Sequence, residues 1–255
     1  MKKQIVLLLF VISLLTSCTA SENREDTTLR IAAAISLQDA LSEIEKAFAK
    51  TNALDIEYQF GSSGTLARQI EKGMDVDVFL SSNERWMDDL EEKEFIQPES
   101  RTTIVKNELV LVTNQNEPVT YERFSDIDIA DLGRVAVGNP ATVPAGEYTE
   151  EALVSLESWD EWESNFIFAK DVRQVLSYVE SGNVDHGFVY RSDAEANNEL
   201  TVVATVPSGY HTAIVYPGAI VRDSANKEAA ENFLELLHTE TAQEIFETFG
   251  FGGVN

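Results

Sequence analysis

A single cysteine, Cys18, occurs among 255 residues, so no intrachain disulfide can form and a cysteine-built metal site is excluded. Histidine is nearly as scarce: His186, His211 and His238 are the full set, and none stands in a context resembling a catalytic triad. With no G-x-S-x-G turn either, a serine hydrolase would lack both its nucleophile elbow and an evident base. No glycine loop runs into Lys-Ser or Lys-Thr, because Gly64 is followed by Thr65-Leu66, which removes a P-loop nucleotide site. Basic residues are outnumbered, 19 against 44 acidic ones, for a formal charge of −25. That balance argues against nucleic acid as a partner. The apolar run from Ile5 to Leu15 is too short for a comfortable membrane span.

That run nevertheless has a purpose. Met1-Lys2-Lys3, the apolar stretch and Thr16-Ser17-Cys18 have the charge, greasy middle and small residues of a secretory signal. Leu15-Thr16-Ser17-Cys18 resembles the lipobox of bacterial lipoproteins. The resemblance implies removal of residues 1–17, a lipid on Cys18, and a protein held outside the cytoplasmic membrane (periplasm or outer face). Residues 18–28 are polar and without apolar periodicity, the composition of a tether. Residues 1–17 hold Lys2 and Lys3 and no acid, so the remainder has 17 basic and 44 acidic residues. The excess is spread, as in Glu91-Glu92 and Glu150-Glu151, and reads as a solvated surface that keeps the protein soluble.

With 44% hydrophobic residues, the body can fill one large core or two small ones. It alternates short apolar runs with helical periodicity: Leu29–Ala34, then Leu37, Ala40, Leu41, Ile44; Leu54–Phe60, then a helix from Thr65 stopped by Gly73; Val76–Leu80, then Trp86, Met87, Leu90. A second series has strands at 134–138, 166–168, 186–190 and 200–206, with helices opening near Pro144 and Asp171, the latter stopped by Gly182. Two helices close the chain, about 226–237 and 241–249. This alternation predicts an α/β fold with parallel sheets. The extended runs 102–113 and 213–221 are long enough to carry the chain from one lobe to another and back.

Two turns attract chemical interest. Gly61-Ser62-Ser63-Gly64 joins a strand to a helix, and Ser36, with Asp39 three residues on, reads as an N-cap with a capping-box partner. A helix beginning at such a turn presents unpaired N–H groups and the positive end of its dipole, which together attract an anion. One such turn is as well explained by ordinary capping. Two, both at the carboxyl ends of strands where α/β folds gather ligands, favour a binding site.

Seven segments in order carry a family resemblance: Ile31–Leu37, Gly61–Gln69, Val76–Ser82, Trp86-Met87, Val143–Tyr148, Asp171–Arg173 and Gly187–Tyr190. Together they resemble the substrate-binding proteins of molybdate ABC importers over residues 30 to 252. The resemblance implies a type II periplasmic-binding-protein fold, two α/β lobes joined by two crossing segments near 104–107 and 207–213. Lobe one would take 29–105 and 212–255, and lobe two 106–211. It further implies a monomer without catalytic activity or cofactor, which captures molybdate or tungstate and delivers it to a membrane ABC permease. Molybdenum would be bound as the oxyanion, not as a protein-ligated cation. Carried over residue by residue, Ser36 and Ser63 would bind through hydroxyl and amide, Ala145 and Val172 through backbone amide, and Tyr190 through its phenol.

The chemistry of that set is coherent. A fully deprotonated tetrahedral dianion offers only acceptors, and none of the five positions is acidic or basic. Phosphate, which keeps a proton, would need an acceptor, and sulfate would have to be rejected on size because its shorter bonds leave donors unreached. A same-fold protein for sulfate, phosphate or ferric ion is the alternative, with a serine hydrolase more remote. Other residues receive plainer expectations. Gly61 and Gly64 loosen their turn, Arg68 and Arg173 pair with surface acids, and Trp86, Trp159 and Trp162 are packing. His186 is a partly exposed strand-end residue, with a pH-sensitive neighbour of Tyr190 as its functional alternative.

Overall fold

The computed structural model describes residues 28–48, 55–114 and 121–254. The signal segment 1–17, Cys18, all but the last residue of the 18–28 tether, and Leu54 lie outside them. Ten strands are described: β1 (Thr28–Ala34), β2 (Asp55–Gly61), β3 (Val78–Leu80), β4 (Thr102–Lys106), β5 (Leu109–Thr113), β6 (Val135–Gly138), β7 (Phe166–Ala169), β8 (His186–Tyr190), β9 (Thr201–Thr205) and β10 (Val215–Ile220). They form two five-stranded sheets, ordered β2-β1-β3-β10-β4 and β7-β6-β8-β5-β9. Each sheet belongs to one of two lobes.

Neither sheet is purely parallel. β1, β2 and β3 run together, as do β6, β7 and β8, whereas β10 is antiparallel to β3 and β4, and β5 to β8 and β9. The antiparallel strands β10 and β5 are those by which the chain enters a sheet from the other lobe. The long 102–113 run divides at Asn107-Glu108: β4 stays in the first sheet and β5 begins the second. The return lies between β9 and β10.

The main helices are α1 (Gln38–Phe48), α2 (Ser63–Glu71), α3 (Glu84–Glu92), α4 (Pro144–Ser155), α5 (Val172–Glu180), α6 (Arg191–Glu195), α7 (Lys227–Leu237) and α8 (Glu240–Thr248). Single turns at Ile129–Leu132 and Trp159–Trp162 are too short to show a period in the sequence. Gly73 and Gly182, at φ +88° and +68°, follow α2 and α5 in the left-handed conformation that stops a helix. β1 is buried at every position from Ile31 to Ala34, and its small side chains let helices approach both faces. Fully buried Phe79 and Phe188 lie at the centres of the two sheets, where each side chain removed from water contributes about 1.5–3 kcal/mol.

Candidate functional site

The first strand-to-helix turn differs from its expected form. Residues Ile35–Leu37 make a 3-10 turn capped by Ala34, and neither Ser36 nor Asp39 bonds a helix amide. Ser36 instead shares a 3.0 Å hydrogen bond with the hydroxyl of Tyr216. The reason is proximity: β10 brings Tyr216 alongside, and a buried phenol needs a partner. Asn107, from the connector between the sheets, donates to the same Tyr216 oxygen at 3.2 Å. Tyr216 can then give its own proton to Ser36 Oγ, which leaves the Ser36 hydroxyl hydrogen free to donate into the cleft.

The second turn reaches the same outcome by another route. α2 starts at Ser63, two residues earlier than Thr65, and Ser62 is its N-cap residue. Ser62 Oγ bonds Thr65 Oγ1 at 2.8 Å rather than capping an amide. Ser63 Oγ accepts the Ser82 N–H at 2.9 Å and lies 3.1 Å from Ser82 Oγ. Both serines are buried; the Ser63 oxygen accepts from the Ser82 N–H and that of Ser36 can accept from Tyr216, an arrangement that leaves each hydroxyl hydrogen available.

The facing lobe contributes helix starts. Ala145 is the second residue of α4, after Pro144 at its first position, and Val172 is the first of α5. Their amides, like that of Ser63, have no intrahelical acceptor. Val143 offers α4 no side-chain cap, while Asp171 caps α5 only at the Gln174 amide, at 2.8 Å. Away from the cleft, α8 is capped by Thr239 on the Ala242 amide. α4 can seat this close to β6 because Gly146 lacks a side chain: a Cβ there would lie 1.8 Å from the Gly138 oxygen.

Tyr190 ends β8, fully buried, with its hydroxyl lacking a well-formed hydrogen bond. Its ring packs edge-on against Tyr216 at 5.8 Å, and the Ser82 hydroxyl region lies nearby, where Tyr148 also donates to the Ser82 carbonyl at 3.5 Å. Burial pushes the phenols of Tyr190, Tyr148 and Tyr216 above their ordinary value, so each remains a neutral O–H donor at neutral pH. The 3-10 turn of Ser36 packs against α5, which begins at Val172. On the other flank, the Gly64 amide donates to the Thr142 carbonyl at 3.1 Å, bringing Ser63 opposite the start of α4. The five expected positions are therefore all buried, on turns and strand ends that meet between the two lobes.

Several residues behave otherwise than expected. Gly64 does not loosen its turn but tightens it, because a Cβ would meet Trp86 at 2.5 Å and the Thr142 oxygen at 2.7 Å. Arg68 reaches the Ala141 carbonyl of the other lobe at 3.1 Å rather than an acid, whereas Arg173 does pair with a part-exposed acid, Asp39, though one that lies across the cleft. His186 is buried, with Nδ1 2.7 Å from the Leu132 oxygen, at the far end of β8 from Tyr190. Its imidazole is held by a backbone group, which removes it as a neighbour of Tyr190. Trp86 and Trp162 are buried packing residues, and Trp159 packs against the core.

Sequence reasoning missed Asp193, in the first turn of α6. It is 2% exposed, neither carboxylate oxygen has a well-formed hydrogen bond, and Arg173 Nε stands 3.9 Å away. Burial raises its carboxyl to about 7, against the pull of Arg173. An acid in a short Arg-Ser-Asp-Ala-Glu helix looks like a surface residue, and nothing local distinguishes it. A cavity of about 700 Å³ lies elsewhere, beside the connectors, and is lined by Asn107, Pro207, Ile214 and Phe251 among others; none of the five positions borders it.

Residues 29–252 match the family model for bacterial extracellular solute-binding proteins. The chain belongs to that family. Among relatives of this solute-binding protein, the Bacillus subtilis (strain 168) protein named "Putative ABC transporter substrate-binding lipoprotein YvgL" is 39% identical over 93% of each chain. The molybdate-binding protein ModA of Escherichia coli (strain K12) is 37% identical over 89% of this chain and 90% of its own. The solved periplasmic molybdate-binding protein of Azotobacter vinelandii superposes with a TM-score of 0.78 at 25% identity, covering 88% of this chain and 98% of that one. The family's activity is solute binding outside the cytoplasm, and the two-lobed α/β architecture is that of its periplasmic relatives.

Proposed function

We propose that this solute-binding protein captures molybdate or tungstate between its lobes, as a monomer, and hands it to a membrane ABC permease. In this reading the hydroxyls and amides of Ser36 and Ser63, the amides of Ala145 and Val172, and the Tyr190 hydroxyl hold the ligand. Lobe one comprises 29–105 with 212–255, and lobe two 106–211. Lipid on Cys18 tethers the protein to the membrane surface. One observation carries the reading: hydroxyls whose oxygens are already occupied face helix starts whose amides are bare, and no acid or base stands among the five. Such a set offers donors only. Closure of the lobes buries donors and dianion together, where dipoles count for more than in water.

The names of the relatives support the same ligand class. Ferric iron is less well served, since among the described residues no group of three or more His, Cys, Asp or Glu gathers to hold a metal ion. A second reading, phosphate, is favoured by one feature: the buried Asp193 carboxyl near Tyr190 is an acceptor of the kind a protonated oxyanion requires.

Thermal unfolding with molybdate, tungstate, sulfate and phosphate separates these readings. A ligand at a hundred times its dissociation constant adds about 2.7 kcal/mol of stability. Stabilisation by molybdate or tungstate is expected, and stabilisation by phosphate alone would transfer the assignment to the second reading. Calorimetry on Ser63→Ala is expected to show binding weakened by roughly 1–3 kcal/mol through one lost charge-assisted donor. Undiminished affinity would remove Ser63 from the site.

A further inference from the structure

Among the described residues, two ion pairs join one lobe to the other: Arg173 with Asp39, and Arg85 with Glu147. The remaining pairs, such as Lys93 with Glu71 or Arg101 with Asp88, stay within a lobe. We propose that these two crossings are clamps that register the donor turns across the cleft, acting as positioning residues that never touch the ligand. The inference rests on the proposed function and deepens it by naming what holds the closed form.

Their placement along the chain is the first support. Asp39 lies three residues after Ser36, and Arg173 directly follows Val172, so this pair bolts those two turns together. Glu147 lies two residues after Ala145. Asn83 directly follows Ser82, which holds Ser63. The second clamp thus bolts the other two turns, one on each flank of the cleft.

The geometry of each clamp is the second support. Asn83 Nδ2 donates to one Glu147 oxygen at 2.9 Å and Arg85 Nη1 donates to the other at 2.8 Å. Asn83 cannot rotate its amide freely, because its Oδ1 faces the Trp86 amide at the start of α3, at 3.4 Å. Arg85 is also steered, with its guanidinium 4.9 Å from the Trp86 ring centroid. Arg173 has the Asp193 carboxyl of its own lobe 3.9 Å from Nε and donates from Nη2 to Asp39 of the first lobe.

Charge gives the clamps a further consequence. Glu147 and Asp39 are carboxylates close to a cleft meant for a dianion, and each is neutralised by a partner that arrives only when the lobes meet. Both pairs break on opening, so their attraction is realised in the closed form alone. Losing one accelerates ligand release and leaves capture nearly unchanged. Salt, which screens such part-exposed pairs, weakens the wild type more than a clamp-deficient variant.

The test uses the protein without its signal segment, with molybdate as probe. Glu147→Gln, Arg173→Gln, Asp39→Asn and the double variant Asp39→Asn/Arg173→Gln are compared with Lys93→Gln, which breaks a pair inside one lobe. Each clamp variant is expected to raise Kd by about 3–10-fold, chiefly through faster dissociation. The double variant should bind no worse than its weaker single parent, and Lys93→Gln should match the wild type. Wild-type affinity in both Glu147→Gln and Arg173→Gln, or strict additivity in the double variant, overturns the proposal. If the wild type itself binds none of the four oxyanions, the assigned function fails, and the clamps are judged without ligand. Small-angle scattering should then show the variants more open than the wild type, and identical profiles would overturn the inference.

Discussion

Asp77 and Asp193 are both buried acids, 5% and 2% exposed, and the molecule treats them in opposite ways. Asp77, just before β3, accepts from the Arg30 amide at 2.8 Å, from Ser224 Oγ at 2.6 Å, and from Asn226 Nδ2 at 3.2 Å. Asp193 has no well-formed hydrogen bond, only a weak one from the Tyr190 backbone and a distant guanidinium. The contrast extends to their surroundings. Around Asp77 the polar groups are paired off, as fold stability demands. Beside Asp193 the Tyr190 hydroxyl lacks a well-formed hydrogen bond, and the Arg173 Nε has none. A protein leaves such groups unmet where a guest is to meet them, and gives up some stability for it.

The contrast can be broken most severely at Asp193. Its folded-state carboxyl, near 7, keeps a proton that the unfolded chain releases near 4. Between those values the folded form binds more protons, so stability falls as pH rises through this window and levels off above about 7. The loss from this one group is at most roughly 4 kcal/mol. Denaturant titrations from pH 4 to 8 should show the decline in wild type and a flatter profile in Asp193→Asn; parallel profiles would mean the carboxyl titrates normally. At the satisfied acid, Asp77→Ala strands several buried donors. It should cost about 3 kcal/mol at neutral pH, and ligand affinity measured below the variant's melting point should stay as in wild type. A smaller effect is expected at the seam between lobes. Gly64→Val places atoms against Trp86 of its own lobe and against the Thr142 carbonyl of the other, and should weaken oxyanion binding by about 1–3 kcal/mol in calorimetry and also lower the ligand-free melting temperature. A variant that closes and binds normally would show the contact to be dispensable.

How far the sequence discloses this arrangement depends on the range of the interaction. The turn at Ser63 is legible because a strand pattern gives way to a helix pattern around a Gly-Ser pair, and the stops at Gly73 and Gly182 follow from local backbone chemistry. The turn at Ser36 is half legible. Its position at a strand end can be read, but its cap cannot, because the competing partner is Tyr216, 180 residues away. Asp39 and Arg173 look like solvated charges until folding brings them together across 134 residues. His186 looks like a strand-end residue because the carbonyl that holds it, on Leu132, comes from a helical turn too short to leave a period. The mixed direction of the sheets is hidden for a related reason: apolar alternation reports that a run is extended and says nothing of which way its neighbour points.

The double crossing between sheets has a bearing on the order in which the molecule can be assembled. Every strand of the second sheet is drawn from one continuous stretch, Leu109 to Thr205, whereas the first sheet awaits β10 to join β3 to β4. A nascent chain emerging from its amino end therefore holds a complete second lobe while the first is still an interrupted ribbon. Tyr216, the partner of Ser36, arrives on that last strand. The cleft proposed for the oxyanion is thus among the final features that synthesis makes available, and a truncated product ending before Val215 lacks the residue that holds Ser36.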